Sequence, residues 1–188
     1  MRCSRRLRVG LAAATVASGW GAIGAAWLLN RSWFNPLQGA FSDLGSRRAC
    51  CPQVFNLGLA AAAAVLALYS LCLYRSSATK ASALGAGYLG LSSLFLAQVG
   101  AFPEGTRFHD CVAAWFFLLA DLGLLLYSLG HAGRRGGPCA AAALAAASML
   151  PGAALVAATA GWPSVATLEA YAVALLDVAL LASSLCGG

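Results

Sequence analysis

Apolar residues run almost unbroken over 9 to 29, 54 to 74, 81 to 101, 111 to 130, 138 to 160 and 166 to 185, and each run ends in charges, proline or a glycine cluster. At a rise of 1.5 Å per residue, about 20 such residues cross a hydrocarbon core of about 30 Å. The pattern predicts six transmembrane helices. The runs are rich in Ala and Leu and do not alternate in ten-residue segments, so they do not describe a transmembrane barrel. The expected fold is all-α, a bundle of about six transmembrane helices forming one domain over residues 1–188. The opening "MRCSRRLRVGLAAATVASGWGAIGAAWLL" has the basic flank of a signal peptide. Its apolar run is longer than a signal core, which keeps it as the first helix.

Composition agrees with this pattern: 61% of residues are hydrophobic, 10% are charged and the mean hydropathy is +0.78. Too little polar surface remains to cover a water-soluble globule. The formal charge of +6 then acts as a topology signal. Arg2, Arg5, Arg6, Arg8, Arg75, Lys80, Arg134 and Arg135 fall on one side of the predicted membrane, and Arg31, Arg47, Arg48 and Arg107 on the other. The excess predicts a multi-pass protein of the cell membrane with both termini cytoplasmic. Attraction to anionic lipid follows from the same charges. No aromatic and basic patch is interleaved, so nucleic acid is not an expected partner; membrane lipid is.

The chain has six carboxylates and two histidines, yet "GAFPEGTRFHDC" (100–111) places Glu104, His109 and Asp110 within seven residues. Asp43, Glu104, Asp110 and Glu169 all lie in or beside the predicted outer loops, and no inner loop holds an acid. The first outer segment, "NRSWFNPLQGAFSDLGSRRACCPQVFN", is long for a structureless loop. Its Trp33, Phe34 and Phe41 suggest an element at the interface or folded back over the bundle. Loop geometry explains part of this. Ser42 or Asp43 can cap a turn, Gly45 can end one, Pro103 and Gly105 form a turn, and Asp110 suits the start of a helix.

The succession "NP", "SDLG", "FNLGL" and "VGAFPE", followed by a histidine and "WFF", resembles the domain of unknown function 998 family of small polytopic membrane proteins. The resemblance covers roughly residues 35 to 130, and the last two helices match in hydropathy only. Residue by residue, its pattern falls on Asn35, Pro36, Ser42, Asp43, Gly45, Asn56, Gly100, Phe102, Pro103, Glu104 and His109. The family implies a membrane bundle and supplies no reaction. It does imply that polar residues of two outer loops converge on one side.

Three functions stay open on these residues. The first is an outward-facing site that binds or processes a lipid or small polar ligand. There His109, Glu104 and Asp43 are the reactive groups, with His109 as proton donor or metal ligand and the carboxylates polarising the ligand or holding a divalent cation. Asn56, Asn35 and Ser42 would contact the ligand. Whether the protein is an enzyme stays open; HExxH and HxxxH are absent, and a Ser42, His109, Asp43 hydrolase would need adjacent residues in different geometric roles. The second is a proton- or ion-coupled transporter using Asp121 and Asp177, which fall near the bilayer middle with no basic residue inside any span. The third is a noncatalytic scaffold. The seven cysteines show no CxxC; Cys50 or Cys51 bridging to Cys111 would draw the two outer loops together.

Overall fold

The computed structural model describes residues 3–132 and 165–186. Its long helices are α1 (Arg5–Asn30), α2 (Pro52–Ser76), α3 (Lys80–Ala101), α4 (His109–Ala132) and α5 (Val165–Leu185). All five are long and apolar enough to cross a membrane. Among the described residues there is no strand. Each helix overlies one predicted run and extends it by up to four residues at an end, because capping residues and first-turn polar groups belong to the helix though not to the apolar stretch. The run predicted over 138 to 160 lies outside the described residues.

Local chemistry sets the ends. Ser4 Oγ accepts the Leu7 amide at the start of α1, and Pro52 opens α2 where its missing N–H costs nothing. Thr79 and Ser82 form a reciprocal capping box at α3. The turn between α3 and α4 needs Gly105, whose φ of 84° is the described chain's sole left-handed backbone position.

Consecutive helices pack side by side from α1 to α4, and α5 closes the ring against α1 and α4. The surface carries Leu28, Leu57, Leu68, Leu94, Leu118 and Leu129, as expected of a face that meets lipid. Lipid supplies no hydrophobic drive between helices, so close approach and buried polar contacts hold them together. Tyr69 Oη lies 2.7 Å from Ser183 Oγ and 3.0 Å from the Leu180 carbonyl oxygen, joining α2 to α5. Arg8 Nε donates to the Ser184 carbonyl at 3.4 Å, tying α1 to the far end of α5. Ser92, Ser93 and Ser183 donate to carbonyls three residues back in their own helices, which satisfies hydroxyls that lipid would leave bare.

A short 3₁₀ helix, η1 (Phe41–Gly45), folds over the end of the bundle where α1 and α3 finish and α2, α4 and α5 begin. This is the element that the aromatics of the first loop suggest. It is anchored by Asn30, which is fully buried at the end of α1. Asn30 Oδ1 accepts from Trp33 Nε1 at 3.0 Å and from the Cys50 amide at 2.8 Å, pinning both ends of the loop to one side chain. Arg48 lies over the Trp33 ring at 4.5 Å.

The sequence leaves open whether Cys50 or Cys51 bridges to Cys111; in the structure all three are free thiols. Cys111 stands two residues after the inward-facing His109, about 200° around α4, and therefore points outward. Among the described residues a disulfide joins Cys3 to Cys72, at the opposite end of the bundle.

Candidate functional site

The α3–α4 hairpin builds the first half of the site. Phe102 and Phe108 meet edge to face at 5.7 Å and close the loop between them. His109, the first residue of α4, is only 4% exposed. Its Nδ1 lies 2.8 Å from the Phe102 carbonyl oxygen, and its Nε2 lies 3.0 Å from Glu104 Oε2. A carbonyl only accepts, so Nδ1 carries a hydrogen. The contact between Nε2 and a carboxylate then requires one further proton between them, as imidazolium and carboxylate or as imidazole and carboxylic acid. The loop thus holds a proton in a fixed place beside a buried ring.

The second half comes from distant segments. Glu169, one turn into α5, accepts the Phe41 amide of η1 at 2.7 Å through Oε2. Its electrostatic neighbours are His109, Asp43 and Glu104. Four elements therefore bring three carboxylates and one imidazole to one end of the bundle. Two of the predicted groups, Glu104 and His109, are in direct contact, and Asp43 stands nearby on η1.

The remaining predicted residues do other work. Asn56 Nδ2 donates to the Gly45 carbonyl at 3.1 Å, fastening η1 to α2, while its Oδ1 is buried without a partner among the described residues. Ser42 is buried within η1. Asn35 is exposed, and its Oδ1 accepts the Leu37 amide, a local turn of the kind asparagine favours. Asp110 is exposed in the first turn of α4, where the helix dipole suits it.

The two intramembrane acids part company. Asp177 Oδ2 accepts from Trp20 Nε1 at 2.7 Å, an α5–α1 tie across the bundle. Asp121 is half-buried on α4, with Oδ1 unpartnered among the described residues. No described contact joins them.

Glu169 is the group that sequence reasoning left out of the site. Its signal was present, as one of four acids beside the outer loops, but no local motif linked it to Glu104 and His109 sixty residues earlier. Among the described residues, no three His, Cys, Asp or Glu side chains are close enough to hold a metal ion.

No curated protein and no solved structure matches the chain. A family model described as "Protein of unknown function (DUF998)" matches residues 11–185, beyond the stretch that carries the motifs, from the first turns of α1 to the end of α5. The chain, an integral membrane protein by its helices, belongs to the DUF998 family.

Proposed function

We propose that the acid and histidine cluster at the η1 end of the bundle is a binding site for a lipid or other small polar ligand. The observation that carries this reading is that Glu104 and His109 of the α3–α4 hairpin, Asp43 of η1 and Glu169 of α5 gather at one end of the bundle. Loop bracing accounts for the His109–Glu104 pair, which sits in one hairpin turn, and for the bond from the Phe41 amide to Glu169. It gives no reason for Asp43 to stand at the same end, where like charges repel unless something offsets them. The shared proton of the pair gives the site a donor for a ligand oxygen, and the free carboxylate oxygens give it acceptors.

Mass spectrometry of small molecules that co-purify with the protein in lipid nanodiscs tests this. Glu104→Ala and His109→Ala are expected to lose a species that the wild-type protein retains, while still extracting as folded protein. An unchanged profile in both folded variants rejects the site.

The excess of basic residues at the opposite end supports a reading in which this end of the bundle faces outside the cell, with the N-terminus cytoplasmic. Exposed Cys111 reports on it. Cys51 is a poorer reporter, because its hydrogen bond with Cys50 raises the thiol pKa. With Cys50 and Cys51 changed to serine, a membrane-impermeant maleimide is expected to label Cys111 in intact cells. Labelling only after permeabilisation would reverse the orientation.

A further inference from the structure

At the end of the bundle away from the polar cluster, chemistry and compartment pull against each other. Cys3 stands just before α1 and Cys72 near the end of α2, bridged, with Cα atoms 5.4 Å apart and so within the usual reach of a disulfide. The same end carries Arg5, Arg6 and Arg8 of α1, Arg75 of α2 and Lys80 of α3, the basic residues that support a cytoplasmic reading of it. Thiols in that compartment are kept reduced, and the disulfides that do form there are mostly transient. The fold favours the bond and the compartment opposes it, so both states of the pair are within reach.

The bond also restrains a helix start that opposes its own charge. The first four residues of α1 include Arg5, Arg6 and Arg8 and no acid, so three cations crowd the positive end of the helix dipole. Against this stand the Ser4 cap, whose Oγ accepts the Leu7 amide at 3.2 Å and whose carbonyl accepts the Arg8 amide at 3.1 Å, and the tether at Cys3 one residue earlier. Three helices meet at this turn. Arg8 is buried and donates to the Ser184 carbonyl of α5, while Tyr69, one turn before Cys72 on α2, bonds Ser183 and the Leu180 carbonyl of α5; Arg8 and Tyr69 are electrostatic neighbours. We propose that Cys3 and Cys72 are a thiol–disulfide switch: as the dithiol the first turn of α1 frays, and as the disulfide it closes on α2 and α5. The switch rests on the cytoplasmic reading of this end and is independent of the ligand site at the other. Its oxidant is a low-molecular-weight disulfide. Cys72 is buried and Cys3 half-buried, so the Cys3 thiolate attacks first, displacing one small thiol and keeping the other half as a mixed disulfide. The Cys72 thiolate then attacks Cys3 Sγ and displaces the second small thiol. One S–S bond breaks and one forms, the two protons of the protein thiols leave with the displaced thiols, and the pair is oxidised as the small disulfide is reduced.

Two measurements on the full chain test this. In cells quenched with acid, free thiols are blocked with one isotope of N-ethylmaleimide, disulfides are then reduced and labelled with another, and Cys3 and Cys72 are quantified by mass spectrometry. The pair is expected to be mostly dithiol at rest, to become mostly disulfide within minutes of adding diamide, which raises the small-molecule disulfide of the cell, and to return after washout. A pair that is disulfide at rest and unmoved by diamide is a fixed staple and overturns the switch; if Cys111 is then labelled only after permeabilisation, the orientation reading falls with it. A pair that stays dithiol under diamide overturns the switch too. The second measurement is hydrogen exchange of the purified protein in nanodiscs with and without dithiothreitol. Reduction is expected to speed exchange of the Leu7 and Arg8 amides at least tenfold and to leave the first turn of α4 unchanged, and Cys3→Ser should match the reduced protein under both conditions. Equal rates at Leu7 and Arg8 in the two states overturn the link between the bond and the turn, and the switch with it.

Discussion

Replacing Gly85 with leucine is expected to force α3 away from α4 and to cost about 3 kcal/mol or more of stability. The two helices run antiparallel, with Gly85 against Gly123 and Tyr127, and Gly130 against Ser82. A Cβ at Gly85 would stand 2.5 Å from the Gly123 carbonyl oxygen and fall onto the Tyr127 amide nitrogen. Those obstacles are backbone, so no rotamer change relieves the clash and the helix axes must separate. Overpacking alone typically costs about 1–3 kcal/mol. Here the separation also removes contacts along a pair that lipid does not push together. Because the turn joining these helices carries Glu104 and His109, the site should open with them. Gly87 has open space around it, and Gly87→Leu should be tolerated. Unfolding titrations of the two variants in bicelles would separate a packing requirement from a general intolerance of larger residues; equal stability of both would refute the close crossing.

The helices were legible because a hydrocarbon core imposes length and apolarity together, and each described span meets both conditions. Their pairing was not, since Gly85 and Gly123 look like any other glycines of a small-residue helix until backbones are seen to cross at them. The site was half legible. Glu104 and His109 share one turn, and a scarce charge next to a scarce imidazole stands out in a chain this apolar. Asp43 and Glu169 reach the same place only through the fold of η1 over the helix ends, a placement set by Asn30, whose two accepted hydrogen bonds leave no trace in the sequence pattern. Asn35 and Asn56 fit the family pattern, yet their visible contacts are structural. Motif residues in a loop must first make the loop, and the same amides that could touch a ligand also satisfy the backbone.

His109→Ala is expected to cost about 2–3 kcal/mol and to empty the site, and the two consequences can be pulled apart. The ring spans two partners, the Phe102 carbonyl through Nδ1 and Glu104 through Nε2. Removing it leaves a carbonyl and a partly shielded carboxylate short of a donor, and each unmet group costs about 1–3 kcal/mol, the exposed edge of Glu104 holding its share to the lower end. An asparagine amide can reach the position of Nδ1 and restore the bond to Phe102; a glutamine amide reaches that of Nε2 and restores the bond to Glu104. Each should recover part of the lost stability. Neither carries a proton that it can share with Glu104, because an amide does not titrate in the range where imidazole does. If His109 serves the ligand, the asparagine and glutamine variants should be folded, more stable than His109→Ala and still empty in the co-purification profile. A stable His109→Asn protein that keeps the wild-type profile would reduce His109 to a brace for the α3–α4 turn and transfer the burden of recognition to Glu169 and Asp43.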